Sequence, residues 1–455
     1  MPKFRPLAAA LLLCAGAAQA DADQALRLAL DHRLDGDASG ACVAAAVIDG
    51  DRVARAWRCA DPAQSSRIGP DAAFEIGSVA KTMTGALLAD LIAQGRASLD
   101  DPLAAYLPEG TAVPDHSGQP ILLRHLVAHT SGLPRLPPGM DLSDPADPYA
   151  ALDVATLLAA LQDTPLAQAP GERFEYSNFG YMLLSYALAH RAGEDLEALL
   201  RARLFAPLGM DGAYVATPPD GVRPAQGHLP GGEATPAWRF APALAGVGGV
   251  RATLDDMVRY AQAQLGQAEA PIAAALVQAQ QPIAGAAEQP MAMGWLLAPF
   301  DGRVLHLHEG GTGGFSAFVG FERARGRAVV LLSDTALYSH GGLEPLGLHL
   351  LDARFPAPGA RRPAAAPMPA PEMLRAYAGI YPLAPGFELS VRERDGGLFA
   401  QATGQGEFAL DATGEADRFE AAAYGIEIRF LRGADEAVTA LELHQGGQTL
   451  HGEKR

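Results

Sequence analysis

The sequence predicts an α/β (α+β) protein in two parts: a large domain mixing helices with strands, then a small antiparallel β domain. Three observations predict this. Apolar segments of helical length and strand-like runs intermix between residues 73 and 333. A Pro- and Ala-rich stretch, 354–371, then reads as a linker. Beyond it, across 372–455, lie short segments with alternating β patterning separated by glycine-containing turns, as in a small sheet or barrel. At 455 residues, 49% hydrophobic and 19% charged, the chain is long and apolar enough for a sizeable core in the 21–353 domain.

Residues 1–20 read as a signal peptide. Lys3 and Arg5 give a basic start, 7–18 is apolar, and Ala18-Gln19-Ala20 stands before Asp21. The apolar run is shorter than the roughly 20 residues a bilayer needs, so no stable membrane span is expected. Cys14 is preceded by Leu12-Leu13 rather than the small residues of a lipid-attachment box. The chain is therefore expected to be secreted across the inner membrane, to the periplasm or the extracellular space.

After a short amphipathic helix over 24–32, two strands flank Asp49-Gly50-Asp51 as a hairpin. With Gly50-Asp51 as a two-residue turn, the register places Cys42 opposite Cys59. An oxidising compartment would let these two form a cross-strand disulfide.

A short strand over 73–76 leads into a helix from Ser78 through Ile92, stopped at Gly95. Leu99 to Leu103 starts a second helix, with Pro102 near its first turn. A third helix is expected over 121–129. The Pro-, Gly- and Asp-rich segment 134–148 reads as a surface loop at a site mouth. Tyr176-Ser177-Asn178 opens an apolar helix through Leu188. Thr253 and Asp256 stand at N-cap and N3 spacing after a glycine-rich run, 246–249, which lacks the Gly-Lys-Ser/Thr of a phosphate loop. Residues 304–308 read as a strand, 309–314 as a break, and 315–321 and 328–333 as further strands.

Ser78 and Lys81 carry the chemistry. Residues three apart share a helix face, which makes a hydroxyl and an amine neighbours. That pair suits a serine nucleophile with a lysine proton acceptor. Composition sharpens the reading. Of 35 basic residues only Lys3, Lys81 and Lys454 are lysines, so Lys81 alone lies inside the body of the fold. Arginine keeps its proton in a protein, whereas a desolvated lysine can lose it.

Phe74-Glu75-Ile76-Gly77-Ser78-Val79-Ala80-Lys81 is similar to the first motif of the penicillin-recognising serine hydrolases. That group comprises class C β-lactamases, D-alanyl-D-alanine carboxypeptidases, D-amino-acid amidases and related esterases. Tyr176-Ser177-Asn178 resembles its second motif, Tyr-x-Asn, and His308-Glu309-Gly310 stands where Lys-Thr-Gly or His-x-Gly is expected. Residues 123–132 and Gly248-Gly249 before Thr253 are also similar. The resemblance covers roughly 21–352. It implies an antiparallel sheet flanked by helices, joined to an all-helical lobe with the site between them.

The resemblance also implies an acyl-enzyme at Ser78, with Lys81 and Tyr176 as acid/base. Asn178 would orient Lys81 and meet the substrate amide, or cap the helix it opens. The N–H groups of Ser78 and Gly311 would form the oxyanion hole, while Gly310 and Gly311 let substrate approach the strand. His308 would bind a substrate carboxylate, with a charge that depends on pH. It departs from the lysine that β-lactamases resemble at this place. The implied substrates are small molecules or peptides: a peptidoglycan-type D-amino-acid peptide, an ester or a β-lactam. No cofactor is implied.

Two other classes compete. A catalytically silent penicillin-binding or sensor protein could use the same scaffold, though the intact Ser78, Lys81 and Tyr176 oppose it. The pairs His306/His308 and His125/His129 have spacings that suit zinc, but no His-Glu-x-x-His pattern or third ligand motif accompanies them, so no metal site is expected. The net charge of −17, with no basic stripe, opposes nucleic-acid binding.

Overall fold

The computed structural model describes residues 7–166, 168–283, 289–337, 342–358, 367–384, 387–394, 396–402, 407–421, 426–433, 435–445 and 448–455. Two compact units result: residues 1–336 with 343–359, and residues 337–342 with 360–455.

The first unit is built on a six-stranded antiparallel sheet. Its spatial order is Leu296–Phe300, Arg303–Gly311, Ser316–Glu322, Arg327–Ser333, Cys42–Asp49, Arg52–Cys59. The expected hairpin register holds: Cys42 faces Cys59 and Asp49 faces Arg52, and a disulfide joins the two cysteines. Ser316–Glu322 and Arg327–Ser333 are buried almost throughout. Helices cover both faces, so these strands read as continuous apolar runs instead of an alternation. Ala317, Val319 and Phe321 join the main core. On the other face Phe318 packs against Gly347 of the helix Glu344–Leu351, where a Cβ would sit 2.2 Å from its ring.

The remaining helices of the unit include the mostly buried Ala80–Ala93 and Asn178–Ala192. Gly95 (φ +68) and Gly193 (φ +74) follow them in the left-handed region that stops a helix. Thr253 and Asp256 form the expected capping box on Leu254–Gln264, which packs on the sheet.

Four elements differ from expectation. The expected helix over 24–32 is present but extends back to Leu7, so that one helix runs over Leu7–Leu34 through the Ala- and Leu-rich stretch. The segment after Leu99 is a single 3-10 turn, Leu103–Tyr106, and the third helix shrinks to Leu123–Val127. Both are short apolar runs whose length is set by the packing around them. The strand expected to end at His308 continues through Glu309 and Gly310 to Gly311, pairing with Ala317 and Ser316. The chain reverses only at Thr312, whose N–H donates to the Phe315 carbonyl.

The second unit is an eight-stranded antiparallel meander from Gly379–Ala384 to Gln448–Glu453. Its edges approach each other, with the Arg455 N–H donating to the Ile380 carbonyl, so the sheet nearly closes into a barrel. Tyr377, Tyr381, Leu389, Ile428, Phe430 and Leu441 fill it. Of the proposed linker, 359–366 lies outside the described residues, and Pro371 already opens a short helix.

Candidate active site

The strand Ala72–Glu75 delivers the chain to Gly77, which takes a left-handed conformation (φ +50). A 3-10 turn, Gly77–Val79, presents Ser78, and the helix Ala80–Ala93 follows. This corner lies directly against the strand Arg303–Gly311. A Cβ on Gly77 would stand 2.3 Å from the Gly311 nitrogen, and one on Gly310 would stand 2.0 Å from the Ile76 carbonyl oxygen. The need for glycine at 310 is therefore the approach of the nucleophile corner, and not the approach of substrate alone. The contact sets the backbone of Ser78 beside that of Gly311, the pair expected to hold an oxyanion.

Lys81 is fully buried. Its Nζ donates to Ser78 Oγ at 2.9 Å and to the Val247 carbonyl at 2.6 Å. Among the described residues no carboxylate pairs with it. Burial, aided by the positive charge of Arg135, pushes its pKa well below the ordinary lysine value. A neutral amine beside the serine hydroxyl can accept its proton.

Tyr176 closes the group. Burial raises its phenol to about 12, against a smaller lowering influence of Ser78. The phenol thus stays protonated at working pH and can pass a proton on without resting as an anion. Its ring stacks on His129 at 4.2 Å, lies 5.1 Å from Lys81 Nζ, and carries the Arg135 guanidinium 5.3 Å from its centroid. His129 is buried and kept neutral by desolvation, and its Nδ1 accepts the Ser177 N–H at 3.0 Å.

Asn178 sits differently from expectation. Ser177 caps the helix, its side chain accepting from the Gly180 N–H, and Asn178 follows as the first helical residue. Its Nδ2 donates to the Tyr149 hydroxyl at 3.0 Å, while its Oδ1 is buried without a partner. Lys81 is instead held by the Val247 carbonyl. Tyr149 stacks on Phe240 and packs against Trp238, giving the site an aromatic wall.

His308 also lies at the site, 2% exposed. Its Nδ1 meets the Glu309 carbonyl at 2.6 Å and so carries the proton, which leaves Nε2 as a buried acceptor without a partner. Burial depresses its pKa to about 3. Burial therefore favours the neutral ring over the histidinium expected to grip a carboxylate. His306, on the same strand, stacks on Phe321 and bonds the Gln280 carbonyl through Nε2.

Ser78, Lys81, Tyr176, Asn178, His308, Gly310 and Gly311 are thus gathered in one place from three separate regions of sequence. Val247, Tyr149 and Arg135 were missed by sequence reasoning. Val247 contributes only a carbonyl, which no residue pattern reveals. Arg135 lies at the start of the loop expected over 134–148, and Tyr149 directly follows its end, which was the available signal.

The Beta-lactamase family profile matches residues 26–340. Over 237 residues the chain is 36% identical to the D-alanyl-D-alanine-carboxypeptidase/endopeptidase AmpH of Escherichia coli K12, a match covering 52% of this chain and 60% of that protein. It is 30% identical to the esterase EstB of Burkholderia gladioli over 352 residues, covering 66% of this chain and 86% of the relative. The crystal structure of SurE, 26% identical, superposes with a TM-score of 0.59 over 96% of this chain and all of SurE, so that likeness extends through the barrel.

Proposed function

The chain belongs to the beta-lactamase family, and on that premise we propose that it is a serine hydrolase working through an acyl-enzyme at Ser78. The observation that carries this reading is the buried Lys81 amine, 2.9 Å from Ser78 Oγ and with no carboxylate partner among the described residues.

Ser78 Oγ attacks the substrate carbonyl while Lys81 Nζ takes the hydroxyl proton. The N–H groups of Ser78 and Gly311 hold the oxyanion. As the tetrahedral intermediate collapses, the C–N or C–O bond breaks and the leaving group takes a proton through Tyr176. Water then attacks the ester carbon, gives its proton to the same relay, and releases the acid with Ser78 restored. No other reactant is consumed.

The substrate is a D-amino-acid peptide amide, an ester or a β-lactam. Relatives named for carboxypeptidase/endopeptidase and for esterase activity support the first two. A neutral His308 weighs against strong β-lactamase turnover. Export to the periplasm or beyond fits the signal-like N-terminus and the Cys42–Cys59 pair. No described helix is long and apolar enough to cross a membrane.

Turnover of a D-Ala-D-Ala peptide, nitrocefin and a short-chain aryl ester, each repeated with Ser78→Ala, tests the reading. At least one substrate should be hydrolysed by the native chain alone, with mass added at Ser78 in a quenched reaction. A folded chain that turns over none of them, and adds no mass from a reactive penicillin or fluorophosphonate, is a silent binder.

A further inference from the structure

We propose that Arg135 is an anion-binding residue of this site, selecting substrates that carry a carboxylate near Tyr176; this rests on the serine-hydrolase reading above.

The first support is charge. Arg135 is exposed, and among the described residues its guanidinium has no ion pair or hydrogen bond. Other arginines of the unit are engaged: Arg239 with Asp147 at 2.6 Å, Arg251 with Glu75 at 2.9 Å, Arg67 with Asp334 at 2.8 Å. The acidic residues of its own loop are also committed. Asp147 binds Arg239, Asp141 accepts the Ser143 N–H, and Asp144 accepts the Ala146 N–H. A charge left without an anion beside a nucleophile is available to the substrate.

The second support is position. The guanidinium stands 5.3 Å from the ring centroid of Tyr176, whose ring also lies 5.1 Å from Lys81 Nζ. It is near enough for its field to act on Lys81, Tyr176, His129 and Tyr149. The backbone beneath it is fixed. The Arg135 carbonyl accepts the N–H groups of Asn178 (2.9 Å) and Phe179 (3.1 Å), and the Pro134 carbonyl accepts Ser177 Oγ at 2.7 Å. The residue is therefore held at the start of the helix that also carries Asn178. A planar guanidinium with free N–H groups matches a carboxylate with two parallel bonds.

The third support is exclusion. His308 presents Nε2 as an acceptor, so its imidazole in this state offers a carboxylate no donor.

The test compares two aryl esters with the same leaving group, 4-nitrophenyl butyrate and mono-4-nitrophenyl glutarate, which carries a terminal carboxylate. The reading is the ratio of their kcat/KM values. Taking the ratio removes any common effect of Arg135 on the acidity of Lys81. In Arg135→Gln the glutarate-to-butyrate ratio should fall about tenfold or more, the worth of a hydrogen bond to a charged group. Arg135→Lys should restore part of it, and rising salt should lower it in the native chain but not in Arg135→Gln. An unchanged ratio in a variant that still hydrolyses butyrate overturns the proposal while leaving the serine-hydrolase reading intact. If the native chain hydrolyses neither ester and Ser78 takes no acyl label, that reading fails as well.

Discussion

Lys81 Nζ stands 2.9 Å from Ser78 Oγ and 2.6 Å from the Val247 carbonyl, and both contacts are neutral. A buried ammonium without a carboxylate is costly, and the amine avoids that cost by giving up its proton. The base is competent when deprotonated, so kcat/KM on a neutral ester should rise with pH through the depressed Lys81 pKa and be level well before the ordinary lysine range. Tyr176, held near 12, should add no falling limb below about pH 10.

Lys81→Arg tests the same assignment by keeping the charge and removing the base. Arginine cannot accept the proton, and its planar head does not fit a cavity shaped for an amine. Acylation should drop by at least about a hundredfold. Stopped-flow burst amplitudes with an aryl ester measure it, and a variant that acylates at the native rate would falsify the role given to Lys81.

Gly310→Ala should damage the site from the strand side. The added Cβ would lie 2.0 Å from the Ile76 carbonyl, so the Ser78 corner and the strand must part. Forced overpacking costs about 1–3 kcal/mol, and a shift of about 1 Å in a reacting group can cost roughly a hundredfold in rate. Thermal melts and kcat should both fall. A full-rate, fully stable Gly310→Ala would mean that the corner does not need this contact.

Parts of this site were legible because their signals are local. The Ser78–Lys81 spacing, the Thr253/Asp256 capping box and the Cys42/Cys59 register each depend on residues close in sequence, and the scarcity of lysine is read from composition alone. Glu309 to Gly311 was misread as a break because glycine signals a turn, whereas here it permits backbone to touch backbone. The helices near Leu103 and Leu123 came out short because packing, not propensity, ends them. The charge state of His308 and the vacant guanidinium of Arg135 are tertiary facts. One follows from burial, the other from the pairing of Asp147 with Arg239 and the backbone bonds of Asp141 and Asp144.

Truncation after Pro358 should leave acylation in place. Ser78, Lys81, Tyr176 and His308 all lie in the first compact unit. Ending there keeps Phe355, which stacks on Phe300 at 4.1 Å, and the Arg354–Asp352 pair. The shortened chain should fold and label at Ser78 with a rate within about tenfold of the full chain, given that each domain carries its own core. A soluble, folded truncation that takes no label would show that the barrel unit completes the site.

His308 gives the last prediction, and it turns on sign. A histidine near 6.5 that bound a carboxylate as histidinium would lose charge, and with it affinity, by about tenfold per pH unit above that value. His308 is held at about 3, so it is neutral throughout and has no charge to lose. The ratio of kcat/KM for an anionic to a neutral ester should therefore stay level across roughly pH 5 to 8, the window in which an ordinary histidine titrates. Stability carries the complementary signal. The unfolded chain protonates this imidazole near 6.5 while the folded chain resists it, so folding stability contributed here is full above about pH 6.5 and is lost as pH falls toward the folded value. His129, likewise depressed by burial, adds to the same acid loss. His308→Gln keeps an acceptor and removes the titration, so the fall in melting temperature between pH 7 and pH 5 should be smaller in the variant, on the linkage argument. A ratio that drops steeply with pH in the native chain, and levels in His308→Gln, would instead mean that the imidazole is charged in the working enzyme and grips the substrate itself.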